Sequence, residues 1–517
     1  MEGSYIFSHA QLGKIHGLEQ GSTVQFLGLQ YGDLADSFSP PSVHDGKETD
    51  ILDARHYGPS APSAPNAIET EFGHLQHALP YTATLQSATE CLNLNITMPN
   101  KFSASNQLPV VAFLHGGGFA IGSNSWPQYD FRRLVELSIS GSTPIIGVNI
   151  NYRLGPFGFL HSKEMAANGY CRNNALQDQK TALLWIKKYI RGFGGDPLNV
   201  TLVGESAGGG TNLLLKPADP SVNEFTYTRV VEALGLGNLS PANRVDALRT
   251  TPAEKLMAAL PPGLPFLPST GGDLNLPVDN YESIYAGQTG NKAHLGKAWC
   301  EQIMVGDCQM DGSILALMVG PQDGEFVPRF KRAIEKALGS ERAALIFNAY
   351  NITESTSDSD NYTRILNFGN DIKFLAPVIV YAHGWDANTF VYFFNEPNTW
   401  EGPWKGRAHH ILDVAYLFQN YNDHLTPTQQ ETAITFGEDL IRFANGQAPW
   451  PVFNFTAKHT NAKVYGAADP SSVKSRIEVA SGPGVRTERR QTIFSLSSTI
   501  LLGELSDAWD AFMADRS

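Results

Sequence analysis

The chain has 517 residues, 42% hydrophobic and 17% charged, with 38 lysines and arginines against 51 aspartates and glutamates for a net charge of −13 at pH 7. That is the composition of a globular protein with ample chain for a large core. The acidic balance and the lack of any Lys/Arg-rich run argue against nucleic acid and acidic membrane surfaces as partners.

Along the chain, the first ten residues carry neither the basic segment nor the apolar stretch of a signal peptide, and no later run is long enough to span a bilayer. The expectation is a cytoplasmic chain, neither secreted nor membrane-spanning. Residues 1–60 mix short apolar stretches with Gly, Asp and Pro and read as peripheral structure, and the Pro/Ser-rich 58–66 reads as a surface loop. Two continuous apolar runs follow, 108–115, which stops abruptly at Gly116-Gly117-Gly118, and 144–150. Both have the pattern of strands buried on both faces. Between Ala175 and Arg191 apolar residues recur at helical spacing, and 199–203 is another buried strand. Strand, helix, strand implies a right-handed parallel crossover and hence an α/β fold.

Further strands are predicted from Trp299 to Val305 and from Thr389 to Phe394. Residues 214–290 and 314–385, richer in Pro, polar residues and short helical patterns, read as cap insertions in a single domain spanning 1–517. Helices close the chain at Gln429–Ala444 and Thr499–Ala514, the last with Leu501, Leu502, Leu505 and Trp509 on one side. The four cysteines, Cys91, Cys171, Cys300 and Cys308, form neither a disulfide framework nor a Cys-x-x-Cys pair, so reduced thiols are expected. Asn-x-Ser/Thr triplets at Asn95, Asn199, Asn238, Asn351, Asn361 and Asn454 carry little weight, because such triplets arise easily by chance.

The strongest chemical signal is Val203-Gly204-Glu205-Ser206-Ala207-Gly208, a β-run leading straight into Gly-x-Ser-x-Gly and a small-residue helix start. In that context the turn is tight enough to strain Ser206 and leave its hydroxyl exposed at the strand end. A serine hydroxyl is a weak nucleophile, and its attack on an ester builds negative charge on the carbonyl oxygen, so fixed donors must already be aimed there. His115-Gly116-Gly117-Gly118-Phe119 supplies the candidates. The amides of Gly117 and Gly118 can approach a substrate without Cβ obstruction, and Ala207 adds a third donor. Losing one such donor costs on the order of 3 kcal/mol of barrier.

With these motifs the chain resembles the type-B carboxylesterase branch of the α/β-hydrolase fold, which also holds cholinesterases and fungal lipases. The resemblance extends through Glu90-Cys91-Leu92-Asn93-Leu94-Asn95, the segment Asn151-Tyr152-Arg153-Leu154-Gly155-Pro156 and its continuation to Leu160, Asn174-Ala175-Leu176-Gln177-Asp178-Gln179, Phe193-Gly194-Gly195-Asp196-Pro197, and Phe443-Ala444-Asn445-Gly446 before Trp450-Pro451. It implies a mostly parallel central sheet with helices on both faces, helical caps, and a triad running Ser, acid, His along the chain. By the family's pattern the base is His410, before Ile411-Leu412-Asp413, with neighbouring His409 as competitor. The acid is Asp311 in Gln309-Met310-Asp311-Gly312, with Asp307 as the alternative. The family's first disulfide pairs the cysteine matching Cys91 with one near residues 61–63, where none stands here. No tryptophan occupies residues 64–90, which speaks against a choline-binding member. Cys300 and Cys308 are taken as unbridged.

Three functions fit these motifs. The first is a serine esterase working through an acyl-enzyme on a small-molecule ester, with no cofactor or metal. The second uses the same site for acyl transfer or lactone formation in a biosynthetic pathway. The third is a catalytically dead binding protein, opposed by the intact Ser206, Asp311, His410 and Gly116–Gly118. Apolar residues of the cap stretches, Phe225, Tyr227, Leu264, Phe266, Leu267, Leu315, Leu317, Met318, Phe326 and Phe330, suggest an apolar pocket for a neutral secondary metabolite or xenobiotic.

Overall fold

A computed structural model describes residues 3–46, 51–101, 107–212, 217–272, 274, 276, 281–285, 299–320, 323–385, 388–453, 461–466, 478–480 and 488–515. Strands β1 (Gly3–His9), β2 (Gly13–Gln20) and β3 (Thr23–Gln30) form an antiparallel meander. They continue into β4 (Asn93–Pro99), β5 (Leu108–Leu114), β6 (Ile146–Ile150) and β7 (Gly195–Gly204). The order across this eight-stranded sheet is β1-β2-β3-β4-β6-β5-β7, with the short strand Leu52–Asp53 beside β2. Pairing is antiparallel as far as β4-β6 and parallel for β6-β5 and β5-β7. The expected parallel crossovers therefore lie in the half of the sheet that carries the glycine motifs.

Residues 1–60 are not peripheral as expected. They supply four of the sheet's strands, and Ile15, Val24, Phe26 and Leu29 are buried in the core with Leu94, Ile96 and Val148. The signal was diluted because β1 alternates half-buried and exposed positions and β2 is interrupted by glycine. The 58–66 loop is also partly interior, with Ser60, Ala61 and Ser63 buried.

A second sheet has the order β8 (Ile303–Cys308), β9 (Thr389–Phe394), β10 (Ala462–Tyr465), β11 (Glu478–Ala480), parallel except for its last pair. The strand expected to begin at Trp299 begins at Ile303 instead, because Glu301 and Gln302 break the apolar run and Trp299 is 77% exposed. β9 matches its expectation residue for residue. No ladder joins β7 to β8 among the described residues, and a cleft of about 1450 Å³ runs between them.

The crossover helix spans Asn174–Tyr189 and tightens into a 3₁₀ turn at Ile190–Phe193; Ala175, Ala182, Trp185, Ile186 and Tyr189 face the core under β5 to β7. A longer helix, Pro427–Ala444, starts two residues before its expected boundary. Thr426 and Gln429 form a reciprocal capping box there and Pro427 occupies the first turn, where a missing N–H costs nothing. The last helix begins at Leu502 and buries Leu502, Leu505, Trp509 and Phe512, while Leu501 lies outside it, exposed.

The two stretches expected as caps carry helices, among them Pro220–Ala233, Pro241–Thr250, Phe326–Leu338 and Asp358–Asn370; residues 213–216 and most of 273–298 lie outside the described residues. The second stretch is more than a cover: Phe330, Ile365, Phe368 and Val380 share one apolar cluster with the final helix.

Candidate active site

Parallel pairing aligns Gly204 of β7 with Leu114 of β5, so both strands end side by side and release the Ser206 turn next to the Gly116–Gly118 loop. The sequence can make this approach only with glycines at two points. A Cβ on Gly208 would lie 2.1 Å from the carbonyl oxygen of Leu114, and one on Gly204 would lie 2.4 Å from Gly208. Ser206 has φ +48°, a left-handed conformation that costs a non-glycine residue about 1 to 3 kcal/mol and persists because Gly208 N–H donates to Glu205 O and Gly210 N–H to Ser206 O.

The glycine loop is held from below. The Tyr152 hydroxyl donates to the His115 carbonyl at 2.6 Å, its ring stacks on the His115 imidazole, and Gly155 N–H donates to Phe119 O at 2.7 Å. Between them, Arg153 makes a fully buried, two-pronged ion pair with Asp178 of the crossover helix. Gly117 and Gly118 adopt φ +95° and +60°. Among the described residues nothing accepts from the amides of Gly117, Gly118 or Ala207. Three unspent donors beside a strained serine are the arrangement that can meet charge developing on a carbonyl oxygen.

His410 reaches this point from the other sheet. Its Nε2 lies 3.0 Å from Ser206 Oγ, and its Nδ1 lies 2.8 Å from Asp311 Oδ1. The other Asp311 oxygen accepts the Cys308 N–H at 2.7 Å, and the backbone N–H of His410 donates to Ser313 Oγ. Backbone bridging between Met310 and His409 ties the two loops together. The alternatives fall elsewhere. Asp307 pairs with Arg490 at 2.9 Å, and His409 Nδ1 meets the His410 carbonyl while burial depresses its imidazole to about 4. None of the four cysteines is in a disulfide.

A set of buried carboxyl groups, none of them given a role by a motif, surrounds His410. Glu205 Oε1 is 3.5 Å from His410 Nε2, and its other oxygen has no partner among the described residues. Glu71, on the helix Ala67–Leu75, accepts from the Tyr129 hydroxyl at 2.6 Å. Asp413 accepts from the Tyr392 hydroxyl at 3.1 Å. Burial raises all three carboxyls above their ordinary range, and each is close enough to feel His410. For His410 burial works downward, but the hydrogen bond to Asp311 and the charges of Asp311, Glu205 and Asp413 outweigh it and hold the imidazole at about 9. Glu205 was legible in principle, since it stands beside the serine; Glu71, 135 positions upstream of Ser206, gave no signal.

The cleft that Ser206 and His410 line is also walled by Leu267, Phe374, Val378 and Trp299. Of the ten cap residues expected in its wall only Leu267 is there. Tyr227, Leu264 and Phe266 pack with Phe38 and Phe157, Leu315, Phe326 and Phe330 belong to the core around the last helix, and Phe225, Leu317 and Met318 are exposed. Among the described residues no cluster of three or more His, Cys, Asp or Glu is disposed to hold a metal ion, and no helix is long and apolar enough to cross a membrane. The asparagines of two triplets, Asn95 and Asn361, are buried.

The chain is similar to known proteins over most of its length. The sequence model of the carboxylesterase family matches residues 6–221 and 211–460. Lipase 3 of Yarrowia lipolytica is 28% identical over 481 residues, 85% of this chain and 88% of the relative. Para-nitrobenzyl esterase of Bacillus subtilis is 25% identical over 524 residues, 94% of this chain and 97% of the relative. A solved structure of a PNB esterase superposes with a TM-score of 0.72 at 25% identity, covering 94% of this chain and 99% of that one.

Proposed function

The chain belongs to the carboxylesterase family, and from that premise we propose that it hydrolyses carboxylic esters of small molecules through an acyl-enzyme on Ser206. The observation that carries this reading is the relay of Asp311, His410 and Ser206, at 2.8 and 3.0 Å, beside three unspent amides. In it His410 Nε2 takes the Ser206 proton as Oγ attacks the ester carbonyl, and the amides of Gly117, Gly118 and Ala207 receive the oxyanion. Asp311 keeps the proton on Nδ1, so that Nε2 is free to accept, and stabilises the imidazolium that forms. Collapse of the tetrahedral intermediate expels the alcohol, which leaves with the proton held on Nε2. Water then repeats the sequence, and Ser206 is restored with release of the acid.

Leu267, Phe374, Val378 and Trp299 give the cleft an apolar wall and support an apolar ester as substrate. The test is steady-state turnover of p-nitrophenyl esters by the wild type and Ser206→Ala. The reading requires saturable wild-type turnover with an initial burst of p-nitrophenol when deacylation is slow, and loss of at least three decades of kcat in the variant. Equal turnover by both proteins would refute it.

A further inference from the structure

Residues Asp371–Leu375 form a π-turn between the helices Asp358–Asn370 and Ala376–Gly384, closed by the hydrogen bond from Ala376 N–H to Asp371 O. The cause is in the sequence. Pro377 cannot donate, and in an uninterrupted α-helix its ring would press on the carbonyl of Lys373; the wider turn relieves that contact. Single π-turns of this kind are rare insertions within α-helical runs.

Here they are fixed on every side. Asn370, at the turn's start, accepts the N–H of Gly312 in the acid loop at 2.7 Å. Asp371 is paired with Arg489 at 3.0 Å and accepts from the Tyr350 hydroxyl at 2.9 Å. Lys373 reaches Asp510 of the last helix at 2.6 Å, and Ile372 and Leu375 are buried in the core. The remaining side chain of the turn, Phe374, is half-buried, lines the cleft, and lies with its ring centroid 5.4 Å from that of His410. Pro377 and Val378 continue the wall from the next helical turn.

We propose that Phe374, held rigidly by this π-turn against His410, is a specificity-determining residue that limits the bulk of the ester admitted beside the base. The inference rests on the esterase reading above. A wall discriminates by size only if it does not yield, and the anchors on Asn370, Asp371 and Lys373 are what keep this one from yielding. In an apolar pocket a single methylene is worth about tenfold or more in kcat/KM, so removing a phenyl ring opens room for several carbons.

The experiment measures kcat/KM for two series, p-nitrophenyl esters from acetate to decanoate and acetates of increasingly bulky alcohols, in the wild type, Phe374→Ala, Phe374→Leu and Phe374→Trp. The expected result is a bulky-to-small ratio raised about tenfold or more in Phe374→Ala in at least one series, raised less in Phe374→Leu, and lowered in Phe374→Trp. A loss of kcat shared equally by all esters is what mere packing support of His410 would give. Ratios within threefold of wild type in both series, in Phe374→Leu and in whichever of the other variants folds, would overturn the inference. Wild-type protein that turns over no ester would instead remove the esterase reading beneath it, so the two failures are distinct.

Discussion

Replacing Asp311 by Asn separates the two candidate acids, because the structure fixes both oxygens of Asp311. One accepts from His410 Nδ1 at 2.8 Å and the other from Cys308 N–H at 2.7 Å. Asparagine has one acceptor and one donor to offer. If its oxygen keeps Cys308, its NH₂ faces Nδ1, drives the imidazole proton to Nε2, and turns that nitrogen into a donor toward Ser206 Oγ 3.0 Å away. If its oxygen faces His410, two buried donors oppose each other at Cys308, at a cost of about 1 to 3 kcal/mol. That cost disfavours the second arrangement, so the base is lost in most molecules. The expected effect is a drop in kcat of roughly three to four decades, about 4 to 5.5 kcal/mol of barrier, with the folded state retained. Asp307→Asn has the opposite profile: it weakens the buried pair with Arg490 and lowers stability by about 3 kcal/mol while kcat per folded molecule stays within tenfold of wild type. Steady-state turnover of a p-nitrophenyl ester with thermal unfolding of both variants decides the matter. Asp311→Asn turning over within tenfold of wild type while Asp307→Asn is dead would refute the assignment.

Two further predictions follow from the same geometry. With the His410 imidazole held at about 9, the neutral base is scarce at neutral pH, so kcat/KM should rise with pH through an apparent pKa well above 6.5, and Glu205→Gln should lower that midpoint. A raised histidine stabilises the fold fully below about 6.5 and loses that contribution as pH climbs toward 9, so thermal stability should fall across the window in which activity grows; a midpoint at or below 6.5 would contradict this. The two loop glycines should also part company. Gly117→Ala places a Cβ 2.2 Å from the Ile121 carbonyl and should cost about 3 kcal/mol of stability, whereas Gly118→Ala faces open space and should cost only about 1 to 2 kcal/mol for its left-handed φ, both read by thermal melts.

The proposed nucleophile and its candidate amide donors were legible in the sequence because each is a contiguous motif bounded by a strand, and local chemistry dictates their shape. The proposed base and acid were not: His410 meets Asp311 across 99 residues and Ser206 across 204, and only the family resemblance singled them out from fourteen histidines and many acids. Strands buried on both faces, such as β5 and β9, announced themselves by unbroken apolar runs. Strands β1 and β2 did not, since exposed positions and a glycine interrupt their apolar residues. Apolar cap residues could not be sorted into pocket wall and core from type alone, and packing claimed most of them. Phe374 owes its place to a turn that only Pro377 hinted at, and Glu71 to a helix 135 positions away from the serine.

The central claim is that Ser206 is an activated nucleophile, and intact-mass spectrometry after exposure to a fluorophosphonate tests it most directly. The account predicts one adduct per wild-type chain, mapped to the peptide holding Ser206 and absent from Ser206→Ala. Labelling of the alanine variant at the same stoichiometry, or an unlabelled wild-type protein that still turns over p-nitrophenyl esters, would contradict it.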